Sequence, residues 1–515
     1  MDHKIRNKWF NNSSRIVLFI LLFSFASKAS DVGNIIAGYT RKWGKLKYLS
    51  KNERKWDSIY VDNIRNIFKY NTELAGQIND KYKSNKKENR FRGNKGLYNK
   101  EMPWLYSKNL KLFNPNGFFV NKDLALLGIA KAWNIINYFY FYKNDLRGNW
   151  DSLLTVYIDD IVNLQSLDSK IISITYRLTI NKMEADLNDC HATLYNDNYL
   201  NFHYWGEYKP PIEVKITDKK TVILSYIDST LRNVGLKVGD TLNSINDIAI
   251  DKLIDSVRIY CGCKYNSGIN RELSISILRA PKNTFSKFEF NHKIFSLKHT
   301  FYYRWALKYG DNSRSINDSI LYVNLSRIKN ENDFKNEYNI NPKPKYLILD
   351  FRYGTYGVEY LVYNFVKKNN DFIVFHYPDF SSLGSFKSKT RRISTFFPGQ
   401  KFSKKLNYTS LFLLVDAHTQ SHSEFIIMAL QTMQNVYTIG DTSAGAIAMI
   451  RKVYLPGNIL FVFTAVGANY PRSNEVREFV KLNKVINPSQ IMDVEKIILE
   501  VFKNRKEEEN VETDN

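Results

Sequence analysis

Leu411-Phe412-Leu413-Leu414-Val415, then Thr419-Gln420-Ser421-His422-Ser423-Glu424, then Gly440-Asp441-Thr442-Ser443-Ala444-Gly445 decide the fold of this chain. An apolar run without alternation reads as a strand buried on both faces, the pattern of a parallel sheet. Phe425, Ile426, Met428, Ala429 and Met433 continue at helical spacing, so Ser421 falls on the first turn of a helix that follows the strand. Free backbone N–H groups and the positive helix end at such a junction stabilise both an alkoxide and an oxyanion, which makes the Ser421 hydroxyl a candidate nucleophile. Ser421-x-x-Glu424 is equally a capping box, which needs no chemistry. Local sequence alone favours the cap, and the rest of the chain has to decide.

From about residue 300 strands and helices alternate, which predicts an α/β fold with a parallel-rich sheet. Ile320–Leu325, Tyr346–Asp350, Phe372–Phe375, Leu411–Val415, Val436–Ile439 and Ile459–Phe463 are the expected strands, with helices at Val358–Lys367, Ser423–Gln434 and Val494–Phe502. Asp350-Phe351-Arg352-Tyr353-Gly354 ends one strand and Thr419–Ser421 follows another, at the carboxyl ends where α/β sites form.

Upstream, Ala37-Gly38 through Trp43, Tyr48, Trp56-Asp57 and Ile64 is echoed by Leu127-Gly128 through Trp133, Tyr138, Trp150-Asp151 and Ile161. This weak repeat predicts two helical hairpins joined by the basic linker Lys81–Lys100, with the tryptophans serving as packing residues. A further helix, about Ser166–Glu184, runs into Asn188-Asp189-Cys190-His191. Residues 211–290 then change to short strands separated by turns, around Val222-Ile223-Leu224, Gly235 to Leu242, and Ile245-Asn246-Asp247, with a helix-like Asp251–Tyr260.

A chain of 515 residues is too long for one core, and 44% hydrophobic content suits ordinary globular packing. Residues 1–29 read as an export signal, with Lys4, Arg6, Lys8 and Arg15 before the apolar stretch Ile16–Phe25 and small residues leading to cleavage after Ala29. No other stretch has the length and apolarity of a membrane span, so no transmembrane segment is expected after signal removal. The three cysteines, Cys190, Cys261 and Cys263, argue against a disulfide framework, and Cys261-Gly262-Cys263 reads as loop filler. A net charge of +23 suits an anionic surface or nucleic acid, but the lysines are scattered among Asn, Ile and Tyr, and no nucleic-acid partner is expected. No His/Asp/Glu cluster has metal-ligand spacing, and no cofactor is expected. The mixed-sign tail 503–515 reads as a solvated terminus.

Two resemblances draw these pieces together. Gly235, Leu236, Gly239, Asp240, Ile245 and Asn246 match the signature of a PDZ domain, a module that binds extended peptides at a sheet edge. Asp189-Cys190-His191-Ala192, that signature, Leu347-Ile348-Leu349-Asp350-Phe351-Arg352, and the Ser421 block with Gly440–Gly445 occur in the order that resembles the C-terminal processing and tricorn-core serine peptidase family. The resemblance implies a ClpP/crotonase-like core over 300–502, an inserted PDZ domain over 211–290, and a helical N-terminal region over 30–205.

It also implies an exported serine endopeptidase acting on a peptide or unfolded protein, in the periplasm, on the outer surface or secreted. Processing members activate serine with a lysine at the position held here by Ala446, so the resemblance is to the tricorn type, in which a histidine serves. His191 is then the general base for Ser421, Cys190 its orienting companion, and Glu475, with Glu478 second, the closing glutamate. Backbone N–H groups of His422 and Gly354 are the expected oxyanion donors, and His418 is a rival base. Ala446, Cys190 and the eroded segment Val480–Lys484 also suit the alternative of a catalytically inactive peptide-binding scaffold.

Overall fold

The computed structural model describes residues 31–49, 53–70, 117–192, 197–217, 221–226, 229–303, 312–340, 344–352, 355, 357–399, 406, 408–473 and 479–486. The expected signal segment, the linker Lys81–Lys100, Gly354, Glu475, Glu478, the helix Val494–Phe502 and the tail lie outside these residues.

The N-terminal part is helical: α1 Asp31–Leu49, α2 Glu53–Tyr70, α3 Lys122–Phe139, α4 Trp150–Val162 and α5 Ser169–Ala185. The two tryptophan positions make matching contacts. Trp43 Nε1 donates to Trp56 O at 2.8 Å, and the matching Trp133 Nε1 donates to Trp150 O at 2.9 Å. In each hairpin a buried indole thus ties the first helix to the start of the second while filling the core, as a large ring with one polar handle does. Asn121, Asn149 and Asp168 cap α3, α4 and α5 by accepting from Leu124, Ser152 and Lys170 N–H.

A module of short strands follows: β1 Ile212–Ile216 pairs with β2 Thr221–Tyr226, and β3 Leu242–Ile245, β4 Ile248–Ala249, β5 Phe285–Phe290 and β6 Lys293–Lys298 form a second small sheet. Its helices are α6 Ile250–Arg258 and α7 Asn266–Ser276.

The C-terminal half holds β7 Ser313–Asn317, β8 Ile320–Asn324, α8 Glu331–Ile340, β9 Tyr346–Asp350, α9 Tyr360–Phe365, β10 Asp371–Pro378, β11 Phe386–Arg392 and β12 Ser410–Val415. It continues with α10 His422–Leu430, β13 Val436–Gly440, β14 Ala448–Leu455, β15 Ile459–Asn469 and β16 Lys484–Val485. Among these, a six-stranded sheet runs β16-β13-β12-β9-β8-β7, parallel at every pairing but the antiparallel β8–β7 edge.

The expected strands at Phe372–Phe375 and Ile459–Phe463 exist, but as β10 and β15 of a separate antiparallel sheet ordered β11-β10-β15-β14. Apolar content marks a buried strand without saying which sheet it joins. Their partners β11 and β14 carry no such mark, because exposed and half-buried residues dominate them.

The continuous apolar run of β12 has a direct cause. Leu411, Leu413 and Val415 pack into the core shared with α9, α10 and β10, while Phe412 and Leu414 pack on the opposite face with Ile348 and Ile439. The helical part packs on the antiparallel sheet through Val453, Leu455, Phe461 and Phe463. None of the described helices is long and apolar enough to cross a membrane.

Candidate active site

β12 delivers the chain to Ser421, whose φ of 55° and ψ of −107° lie in a region that L-residues rarely occupy. Such a backbone costs on the order of 1–3 kcal/mol and persists only where the surroundings over-determine it. Here Glu424 supplies much of that determination. Its carboxyl accepts from Ser421 N at 2.8 Å, Ser443 Oγ at 2.6 Å, Gly445 N at 2.8 Å and Ala446 N at 2.9 Å. One buried group therefore fastens the serine to the loop after β13. Burial pushes the Glu424 carboxyl above its ordinary range, and the hydrogen bonds from Ser443 and the three backbone amides oppose the shift without cancelling it.

The bland capping reading is thus half of the truth. Glu424 does reach back to the helix start, as a capping box requires, but it also carries the neighbouring loop. Sequence spacing shows only the first role. Ser443 adds a further tie by accepting from Val480 N at 3.1 Å.

Two more contacts fix the floor of the site. Thr419 Oγ1 donates to Phe351 O at 3.1 Å, and Ser423 Oγ donates to Thr355 O at 3.0 Å, so the β12–α10 turn is stitched to the loop after β9. That loop is anchored by Asp350, whose buried carboxylate takes a two-pronged grip from Arg352 at 2.9 and 2.7 Å and a hydrogen bond from Tyr322 Oη at 2.8 Å.

His191 comes from the turn after α5. Its N–H donates to Asp189 Oδ1 at 3.0 Å, and Nδ1 stands 3.6 Å from the same oxygen. Both ring nitrogens are buried, and neither has a hydrogen-bond partner among the described residues. Gln420 Nε2 donates to Cys190 O at 3.2 Å, so the residue before Ser421 grips the residue before His191. The two distant segments do meet.

The two histidines that flank Ser421 are engaged elsewhere. His422 Nε2 pairs with Glu359 Oε1 at 3.1 Å, and its ring stacks on Phe425. His418 is half exposed, with Nδ1 3.3 Å from Asp416 Oδ2.

The cysteine reading needs correction. Cys190 and Cys263 form a disulfide across 73 residues of sequence, with Cα atoms 4.4 Å apart. Cys263 is therefore a bridge to the histidine turn and not loop filler, and Cys190 has no thiol hydrogen with which to orient the imidazole. Folding of the insert onto the α5 turn creates a proximity that sequence spacing does not encode. Buried Cys261 stays free, and burial pushes its thiol up to about 12. Sequence reasoning misses Gln420, Ser443 and Cys263 as site residues, although Gln420 and Ser443 both lie inside the blocks that mark the site. Among the described residues no group of His, Cys, Asp and Glu is arranged to hold a metal ion.

No family model and no curated protein matches the chain. Solved structures do. Mature CPAF is 10% identical, with 72% of this chain and 94% of that chain covered at a TM-score of 0.51. Mature CPAF complexed with lactacystin is 10% identical over 74% and 99% of the two chains, at 0.52. A CPAF point mutant is 9% identical over 72% and 94%, at 0.53. The photosystem II D1 C-terminal processing protease also matches, 14% identical over 70% and 93%, at a TM-score of 0.41 that carries no argument alone. At these identities the likeness is one of fold alone, and the fold is that of CPAF.

Proposed function

We propose that this chain is an exported serine endopeptidase that cleaves unfolded or extended peptide segments through an acyl-enzyme. The observation that carries this reading is the strained Ser421 backbone, held by the Glu424 carboxyl and joined through Gln420 to the turn bearing His191. His191 takes the proton from Ser421 Oγ as that oxygen bonds to the scissile carbonyl carbon. The imidazolium then returns the proton to the leaving amine, and water deacylates the serine by the same steps. Backbone N–H groups of His422 and Gly354 receive the oxyanion, and Glu475 completes the relay to His191. The parallel-rich core is ClpP/crotonase-like, and the 211–290 module is a PDZ domain that presents the peptide.

The test is Ser421→Ala with an unfolded protein as substrate. Hydrolysis should vanish while stability changes by no more than about 1–2 kcal/mol, the scale of a lost cap. A fluorophosphonate should label wild type and not this variant, and lactacystin, bound in a CPAF structure, should compete with that labelling. Undiminished turnover in Ser421→Ala would eliminate the reading.

A further inference from the structure

The inserted module does more than sit beside the site. Its turn Cys261–Tyr265 and the start of α7 touch both halves of it. On the histidine side, Cys263 is bonded to Cys190, the residue before His191. A Cβ on Gly262 would lie 2.9 Å from Glu184 O, 3.0 Å from Ala185 Cα and 3.4 Å from Asp189 O, so only glycine lets this turn lie so close against the end of α5. Arg147 Nη2 donates to Cys261 O at 3.0 Å and also reaches Asn188 Oδ1 at 3.2 Å, bracing the same turn.

On the serine side, Tyr265 lies over Gly445, where a Cβ would come within 2.4 Å of the ring, and Gly445 N–H is one of the donors held by Glu424. Arg271 Nη1 donates to Ala417 O at 2.5 Å, in the loop that leads to Ser421. Cys190, Ala444 and Ala446 belong to the apolar core of the insert. The insert core therefore ends inside the catalytic machinery.

The histidine half depends on this arrangement more than the serine half does. The ring of His191 has no hydrogen bond among the described residues to hold its orientation. Its backbone is placed by the Asp189 turn, by the Gln420 amide and by the disulfide. Of these, only the disulfide is covalent and only the disulfide originates in the insert.

We propose that Cys263 is a positioning residue for the general base, so that catalysis is sensitive to thiol reductants while the fold is not. This rests on the serine–histidine reading above. A dithiol reductant breaks the Cys190–Cys263 bond by two thiol–disulfide exchanges. Each protein sulfur gains one electron and one proton, and the dithiol closes to its own cyclic disulfide. The serine, held by Glu424, stays in place, while the turn carrying His191 is freed. Misplacement of a catalytic group by about 1 Å costs on the order of 100-fold in rate.

The experiment compares oxidised and dithiothreitol-reduced full-length protein, with the state of each cysteine read by alkylation and mass spectrometry. Reduction should lower kcat about 100-fold with KM within about twofold, shift the pH profile of kcat/KM, and leave the melting transition cooperative. Reoxidation should restore activity. Cys190→Ser/Cys263→Ser should behave as the reduced protein and ignore dithiothreitol, whereas Cys261→Ser should respond as wild type does.

Unchanged kcat with both thiols alkylated would overturn the proposal. Loss of cooperative melting together with activity would overturn it too, by making the bond structural only. The His191 ring resonance, assigned by its absence in His191→Ala, gives an independent reading. If the oxidised protein neither cleaves nor labels with fluorophosphonate, the peptidase reading fails alone. A reduction-dependent change in the His191 titration would still uphold the positioning role, and its absence would sink that as well.

Discussion

The two halves of the site are built by opposite means. Ser421 is held chiefly by contacts to the Glu424 carboxyl from within 28 residues, Thr419 to Ala446. His191 is held by its own Asp189 turn and, beyond that, by what other parts of the chain bring to Cys190 beside it: an amide from Gln420 and a sulfur from Cys263. The nucleophile is rigid by local design, and the base is on loan from tertiary structure. Stability and catalysis should therefore separate differently in the two halves, and substitutions can force that separation into view.

The largest catalytic effect belongs to the pair itself. His191→Ala should lower kcat about 10³–10⁶-fold, comparable with Ser421→Ala, because groups acting as a unit fail together. Its melting temperature should barely fall, since the imidazole nitrogens removed make no hydrogen bond among the described residues. Fluorophosphonate labelling and a thermal melt on the same sample check both halves of this outcome. A large loss of stability with retained labelling would make His191 structural and break the comparison at its root.

Glu424→Gln comes next and should couple the two properties that His191→Ala separates. The carboxyl accepts four donors, and an amide puts its own N–H groups against some of them. A loss of about 2–4 kcal/mol is expected, with kcat falling in step as the serine loop loosens. Denaturant unfolding and turnover measured together test it. Retained stability would mean that the strained Ser421 backbone is determined elsewhere.

Gln420→Ala removes one hydrogen bond between the halves, a neutral one worth about 1 kcal/mol. Turnover should fall about tenfold with KM and melting temperature near wild type, because neither the Glu424 web nor the insert core is touched. An unchanged kcat would show that the disulfide alone aligns the base.

How much of this was legible in sequence follows the same division. The run Leu411–Val415 declared a two-sided buried strand because both its faces are in fact covered. The tryptophan repeat was legible because each copy repeats the same local hydrogen bond. What required a fold was not legible: Cys190 and Cys263 are 73 residues apart, and nothing in Cys-Gly-Cys tells which loop it will meet. Glu424 reads as a cap since spacing within a helix is visible and the approach of Gly445 and Ala446 is not. The antiparallel sheet was hidden for a related reason, as β11 is exposed along most of its length and so carries no apolar signature.

The smallest expected catalytic effect, essentially none, comes from a carboxyl on the histidine side that sharpens the contrast with Glu424. Glu184 is fully buried near the end of α5, and one of its oxygens accepts only a long bond from Val462 N at 3.4 Å. Burial pushes its carboxyl well above the ordinary value of 4.5, where Glu424 has four donors opposing the same shift. The sign is fixed by linkage: a carboxyl that holds its proton more tightly when folded stabilises the fold below about pH 4.5. That stabilisation is lost as pH rises from there toward the folded-state value. Glu184→Gln keeps the shape without the titration. Its melting temperature relative to wild type should therefore rise between pH 5 and pH 8, with kcat unchanged. Thermal melts of both proteins across that range decide it: parallel curves would mean that Glu184 releases its proton as easily folded as unfolded, and the poorly satisfied carboxyl would cease to distinguish the borrowed half from the self-contained one.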